Sequence, residues 1–363
     1  MSADAEPSTV VSLDANEVRA FMVRIFTTAG WSEADAAVTA DHLVSADRAG
    51  HASHGIGLVP GYAETINAGR LSPSSHPRTL KDDGPFLVID AGMSLGQVAA
   101  RTATLQAIAT ARCHGVSILN LINSHHIGRI GHYGEMVAGE GFVGLFWVNV
   151  HGRRPTVVPF GAREPRFSTN PHCVAIPRAG AEPFLLDFAT AEIAVNKARV
   201  AAAQGKKVRP GMLIDHDGRP TDDPGVLFQN PRGSIAAFGQ HKGSGLALAC
   251  ELLSSVLSSG PLVSDQEERG AICNNMMAIV IDPARMATRD EPVAAATDRL
   301  IEWVKSAAAA DGVPAVLTPG EPEQLNRARL GARLEIDPTT WREIEKAALA
   351  LGIPAESLPR RLG

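Results

Sequence analysis

Two short stretches of this 363-residue chain hold side chains that can move protons near neutral pH: His51-Ala52-Ser53-His54 and Asn123-Ser124-His125-His126. Histidine titrates close to neutrality and acts as acid or base without a large pKa shift. The run Val116–Ile122 is rich in β-branched and aliphatic residues and predicts a buried strand. It ends in Asn123, Ser124 and two adjacent histidines, followed by Gly128 and Gly131 and a helical pattern from about His132. Imidazoles at a strand mouth before a helix sit where α/β enzymes keep their chemistry. In extended backbone, neighbouring side chains point to opposite faces, so one of His125 and His126 faces a given cleft. Structural hydrogen bonding for both is the competing reading.

Ser53 and His54 invite an acyl-transfer reading. A nucleophilic serine, however, needs a strained elbow or an oxyanion hole, and Ser-His-Gly after a helix shows neither. A hydrogen-bonding pair that holds a substrate or a cofactor amide fits better. The alternative is a helix C-cap with His54 against the dipole. Asp187 closes the predicted strand Phe184–Phe188, where it can orient an imidazole, hold a ribose hydroxyl or cap a following helix. The histidines His51, His54, His125, His126, His132 and His151 raise a metal-assisted hydrolase as a rival. No HExxH or Cys/His spacing supports a metal site.

The elements that position these residues form a pattern. Asp14 with Glu17 predicts a capped helix ended by Gly30, and Ser32 caps a second that runs towards Gly50. From about Pro85 strands and helices alternate. The segment Gly243–Leu257 is nearly apolar all round and predicts a buried helix. Helical signal returns at 291–310 and 340–351. The expected division is residues 1–80 and 285–363 as one helical domain from both chain ends, around an α/β domain at 81–284. Apolar content of 45% and charged content of 20% are those of an ordinary globular protein, and a net charge of -5 argues against a nucleic-acid partner. The four cysteines are scattered without a CxxC pair, and most are expected to be buried thiols in a reducing compartment. No signal-peptide pattern opens the chain and no window is long and apolar enough for a membrane span, so a cytoplasmic enzyme is expected.

The chain lacks a GxGxxG after a strand and a GxxxxGK[ST], which disfavours a Rossmann or P-loop protein. Gly239-Gln240-His241-Lys242-Gly243-Ser244-Gly245 opens a helix and reads either as an anion site or as a plain loop-to-helix junction.

Several segments carry a family resemblance: Ala49-Gly50-His51-Ala52-Ser53-His54-Gly55, Asn123-Ser124-His125-His126, Pro159-Phe160-Gly161, Ser168-Thr169-Asn170-Pro171, Asp187-Phe188-Ala189-Thr190, Lys242-Gly243 and Pro319-Gly320-Glu321. In this order and spacing the chain resembles the non-Rossmann malate/L-lactate dehydrogenase family. His-His-Ile-Gly-Arg-Ile-Gly looks most like its hydroxycarboxylate dehydrogenase B branch. The resemblance implies a central mixed-sheet cofactor-binding domain without the Rossmann fold, a homodimer, NAD or NADP as cofactor, and a small 2-hydroxy or 2-oxo carboxylate as substrate. Reduction of a cyclic imine carboxylate uses the same hydride geometry and stays open. By the same resemblance His126 is the acid/base, and Ser53 and His54 lie near nicotinamide and substrate. Cofactor contacts fall on His54, Gly128, Arg129, Ile130, Leu185, Leu186, Asp187, Phe188, Ala189, His241, Lys242, Asn274, Gly320 and Glu321. Leu58 stands where several members place an arginine for the substrate carboxylate, and Ser244 where a tyrosine is common. Arg129 or a partner subunit is expected to replace that arginine. The basic loop His151-Gly152-Arg153-Arg154 reads as a 2′-phosphate contact favouring NADP or as a solvated loop. A non-enzymatic binding protein, the remaining rival, predicts cofactor binding without turnover.

Overall fold

The computed structural model describes residues 10–265, 269–288 and 290–362. The chain forms two units, Met1–Ser74 with Glu321–Gly363, and Ser75–Gly320.

In the first unit, strand β1 (Val11–Asp14) pairs antiparallel with β13 (Arg333–Ile336), placing Val11 opposite Ile336 and tying the two chain ends together. This short pair lies inside a region that reads as helical in sequence. Helix α1 (Ala15–Thr28) starts where Asp14 accepts the Asn16 and Glu17 amides at 2.8 and 3.0 Å, satisfying two of its orphan donors. Helix α2 (Glu33–Arg48) starts where Ser32 accepts the Asp35 amide at 3.1 Å. Helices α3 (Val59–Asn67), α9 (Glu321–Leu330) and α10 (Pro338–Ala350) complete the unit. Phe21, Phe26, Leu43, Ile56 and Trp341 are fully buried, each contributing roughly 1.5–3 kcal/mol of apolar burial.

The second unit is built on a seven-stranded sheet. Its strands are β2 (Arg78–Asp83), β3 (Phe86–Asp90), β4 (Val116–His125), β5 (Val143–His151), β7 (His172–Ile176), β8 (Phe184–Phe188) and β12 (Cys273–Ile281), in the order β2-β3-β4-β12-β5-β7-β8. β3 and β4 run parallel and every other neighbouring pair antiparallel, so the sheet is mixed and not doubly wound. Helices α4 (Gly96–His114) and α5 (Gly131–Gly139) cover one face, with Ala103, Ala107, Leu121, Tyr133, Phe146 and Met276 in the core between. Helix α7 (His241–Ser254) packs on the other face, where Asn120 donates to the Leu253 carbonyl at 2.9 Å. A four-stranded sheet holds β6 (Val157–Val158), β9 (Leu213–Ile214), β10 (Pro220–Thr221) and β11 (Ser234–Ala236), and helices α6 (Val195–Ala203) and α8 (Val293–Lys305) complete the unit.

Three expectations change. The boundaries fall at 74/75 and 320/321, not 80/81 and 284/285. One tie is Asp298 of α8, which accepts from Arg178 at 2.6 Å and so holds α8 to the α/β unit. The central strands run further than their apolar cores, β4 to His125 and β12 from Cys273, because these polar ends still pair. Helix α7 is not buried all round. Its small residues, Gly243, Ala247, Cys250 and Ser254, face inward, while Leu248 and Leu252 are 47% and 48% exposed.

Candidate active site

The pairing directions bring the C-terminal ends of β3, β4, β5 and β8 to one edge of the large sheet, beside the start of β12. His125 stands opposite Cys273, and Cys273 opposite His151, so the three form a row across β4, β12 and β5. Directly paired residues share a face. Asn149, two residues before His151 on β5, donates to Glu251 of α7 at 3.0 Å, so the row lies on the α7 face. His125 is buried, and burial followed by the charge of Arg153 pushes its imidazole down to about 4. An imidazole with that pKa is neutral at physiological pH and a weak base. His126, one residue beyond the strand, is 7% exposed.

The loop after His126 is held from several sides. Asn274 accepts the Ile127 amide at 3.0 Å and donates to the Asn149 carbonyl at 2.9 Å. Tyr133 donates to the Ile127 carbonyl at 2.5 Å. Gly128 has a φ of +80°, and Ile130 is the N-cap of α5. Asp187 accepts the Gly131 amide at 2.8 Å, so it caps α5 rather than the segment after Thr190. Arg129 is buried and donates to Glu135 at 2.7 Å. Burial by itself lowers its pKa, yet Glu135 and Asp187 hold the guanidinium above its ordinary value. A Cβ on Gly131 would lie 2.5 Å from Arg129 Nη1 and 2.6 Å from Asp187 Oδ2, so any side chain here must displace those groups.

The other expected cofactor residues of this unit lie on β8, beside it and at the start of α7. Leu185 donates its amide to the Pro319 carbonyl at 3.3 Å, which sets Gly320 against β8. Leu186 pairs with Val174 within the sheet, and Ala189 follows the strand. Phe188 stacks edge-on with Phe238 at 5.3 Å, and the Phe238 amide donates to the Thr190 carbonyl at 2.9 Å. That contact carries the chain into α7, whose first two residues, His241 and Lys242, are exposed. The His241 ring lies 5.9 Å from Phe160, and Ser244 accepts the Phe160 amide at 3.0 Å. The amides of Lys242 and Gly243 already donate to Gly239 and Phe238. The anion-site reading of this helix start therefore rests on the Lys242 ammonium.

Ser53, His54 and Glu321 belong to the other unit. Ser53 Oγ and His54 Nδ1 are 3.0 Å apart in the turn Ala52–His54, a hydrogen-bonded pair. The C-cap of α2 is made upstream, where the Gly50 and His51 amides return to Asp47 and Ala46 at 2.9 Å each. His54 is thus not a helix cap. Asp47 accepts the Ile56 amide at 2.8 Å beneath this turn, and burial pushes its carboxyl up to about 7. His51 meets Glu323 at 3.0 Å, and Glu321 opens α9.

Sequence reasoning passed over Glu251 and Asn149. Glu251 accepts from Asn149 at 3.0 Å and from Asn170 at 2.9 Å, and Asn170 accepts the Val150 amide at 3.1 Å. Burial raises the Glu251 pKa against these two donors. The network fixes the end of β5 below the histidine row. Its signal in sequence was an acid inside an apolar helix, a group rarely buried without partners.

Among the described residues no three His, Cys, Asp or Glu side chains are grouped to hold a metal ion, so the hydrolase reading finds no ligand set there. The residues at this edge instead fit a dinucleotide. The exposed Lys242 ammonium can meet its phosphates, while the Gly131 and Asn274 amides, already donating to Asp187 and Asn149, hold the loops of this edge in place. A non-Rossmann mixed sheet with paired histidines where its loops gather suits a dehydrogenase-type oxidoreductase.

Comparison with known proteins agrees. Residues 13–345 match the malate/L-lactate dehydrogenase family model. Hydroxycarboxylate dehydrogenase B of Escherichia coli (strain K12) is 41% identical over 349 residues, 95% of this chain and 96% of that protein. L-lactate dehydrogenase of Cupriavidus necator is 39% identical over 316 residues, 86% and 90% of the two chains. The structure of sulfolactate dehydrogenase from Methanocaldococcus jannaschii superposes with a TM-score of 0.83 at 31% identity, covering 95% of this chain and 98% of that one. The chain belongs to the malate/L-lactate dehydrogenase family.

Proposed function

We propose that the protein interconverts a small 2-hydroxy carboxylate and the 2-oxo acid, with His126 as acid/base. The observation that carries the reading is the division between the paired histidines. Burial and Arg153 hold His125 neutral down to about pH 4, while His126 lies one residue past the strand end, at the edge where the loops of the sheet gather. The nicotinamide, when bound, accepts or returns the hydride. His126 takes the hydroxyl proton as the C2–H bond breaks, and gives a proton to the carbonyl oxygen in the reverse direction. Gly128 to Ile130, Leu185 to Ala189, Asn274, His241, Lys242 and Gly320 would hold the cofactor, NAD or NADP. Ser53 and His54 form a hydrogen-bonded pair in the first unit. The four cysteines are free thiols, which fits a cytoplasmic enzyme. Among the described residues no helix is long and apolar enough to cross a membrane.

NADH and NADPH oxidation at 340 nm against a panel of 2-oxo acids and cyclic imine carboxylates tests the reading and selects the cofactor. His126→Ala should lower kcat by roughly two to four orders of magnitude while dinucleotide binding persists. Near-normal turnover in that variant refutes the assignment.

We propose further that the enzyme is a homodimer. The exposed stripe Leu248, Leu252 and Val256 along α7 and its continuation supports this, since contiguous apolar surface marks association sites.

A further inference from the structure

Arg129 and Glu251 are both ionisable and buried in the α/β unit. Arg129 is matched by Glu135 at 2.7 Å, so it does not take the place of the arginine missing at Leu58. Glu251 is met by amides instead: Asn149 Nδ2 at 3.0 Å, Asn170 Nδ2 at 2.9 Å and the Val263 backbone N–H. A carboxylate taken out of water is costly unless hydrogen bonds fill its lone pairs, and replacing it by an apolar residue is often harmless to a fold. A charge at this position calls for a reason beyond packing.

We propose that Glu251 is a positioning residue for His126, acting through Asn149. The inference rests on the acid/base reading of His126 given above. Asn149 Oδ1 accepts the Asn275 amide at 2.9 Å, and Asn170 Oδ1 accepts the Val150 amide at 3.1 Å. A backbone N–H only donates, so both side-chain amides are turned with their NH2 groups towards residue 251. That residue must accept from both at once. A carboxylate does so with its two oxygens. A glutamine, with one oxygen and one NH2, sets donor against donor on one side.

From Asn149 the bonds run to both ends of the histidine segment. Asn149 pairs with Asn275 across β5 and β12, and the Asn275 side chain accepts the Asn123 amide at 2.7 Å. Asn274 donates to the Asn149 carbonyl at 2.9 Å and accepts the Ile127 amide at 3.0 Å. Residues 123 and 127 bracket His126, and the Ile127 nitrogen is bonded to the His126 carbonyl carbon. The backbone that carries the His126 ring is therefore held at both ends by bonds that converge on Asn149, whose orientation Glu251 sets. The Asn170 arm does the same for the turn after β8, where the Thr169 carbonyl accepts the Thr190 amide and hydroxyl at 2.9 and 3.0 Å.

The test compares Glu251→Gln, Asn149→Asp and the double variant with wild type. In the double variant the carboxylate moves to position 149, where it accepts the Asn275 amide and the new NH2 of position 251, whose oxygen still accepts from Asn170. Asn149→Asp alone sets two carboxylates against each other. On the best 2-oxo acid of the panel, kcat should fall by roughly 10- to 100-fold in Glu251→Gln, the cost of a misplaced reacting group, with KM near the wild-type value. The double variant should recover most of that loss. The ring-carbon NMR resonance of His126 in histidine-labelled enzyme, assigned by its loss in His126→Ala, should shift in Glu251→Gln and return in the double variant. A Glu251→Gln protein that melts earlier but keeps the wild-type kcat and His126 resonance well below melting has lost only packing, and overturns the proposal. So does a kcat loss that the double variant fails to recover. Should Glu251→Gln not fold, a folded and active double variant supports the proposal by itself, and one that also fails to fold overturns it. A wild type that turns over no acid on the panel refutes the acid/base reading of His126. In that event a resonance that shifts and returns still supports the positioning of the His126 ring by Glu251, and one that does not move removes both.

Discussion

His125 and His126 are neighbours in sequence with different surroundings, and their chemistry follows from that difference. His125 is paired into the sheet, buried, and repelled by Arg153. Its pKa is lower in the fold than in the unfolded chain, so folding favours the neutral ring. The stability this group contributes is complete above about pH 6.5 and is lost as pH falls towards 4, where the unfolded chain binds a proton that the fold refuses. The drop amounts to ~3 kcal/mol at 1.36 kcal/mol per unit. Urea unfolding at pH 7 and pH 4.5 should therefore show a smaller acid loss in His125→Asn than in wild type. Parallel losses would mean that burial does not set the His125 charge state. His126 lies one step further along the chain, beyond the strand, and that difference was only partly visible in sequence. Strand alternation says that the two rings face opposite ways, but not which face is closed.

The elements bring the loops to one edge through pairing and close contact. β4, β12 and β5 run out to polar residues because those residues still pair. The apolar runs alone ended the strands too early. The junction of β8 with α5 is tighter. Asp187 caps the helix at Gly131, and Arg129 lies against the same glycine. Replacing Gly131 with Ala forces a methyl group into space held by a buried guanidinium and a carboxylate. Overpacking of this kind costs about 1–3 kcal/mol, or roughly 2–4 °C in Tm per kcal/mol for a large domain. The same shift should weaken dinucleotide binding, since residues 128 to 130 and 187 move together. A Gly131→Ala protein with wild-type Tm and cofactor Kd would show that the junction yields freely. The charge of Asp187 was legible as a strand-end carboxylate. Its partner was not, because α5 and β8 meet across 56 residues of chain.

At the scale of the whole molecule, the exposed face of α7 carries the prediction. The helix turns small residues to the sheet, where Asn170 bonds to the Ala247 carbonyl at 3.1 Å and to Glu251 at 2.9 Å. It leaves Leu248, Leu252 and Val256 outside. Leu252→Glu should halve the mass measured by light scattering while barely changing the monomer fold, because an exposed position tolerates a charge. A wild type that already runs as a monomer, or a variant that stays dimeric, refutes the dimer through this face.

The sequence by itself determined the non-Rossmann class, the helical unit drawn from both chain ends and the two histidine clusters. These depend on local pattern, on a missing glycine fingerprint and on a resemblance spread along the chain. The tertiary structure decided that burial keeps His125 neutral, that Arg129 is occupied, that Asp187 caps α5 and that α7 has an open face. Burial, charge proximity and cross-strand register depend on residues far apart in the chain, and periodicity reports only what is near.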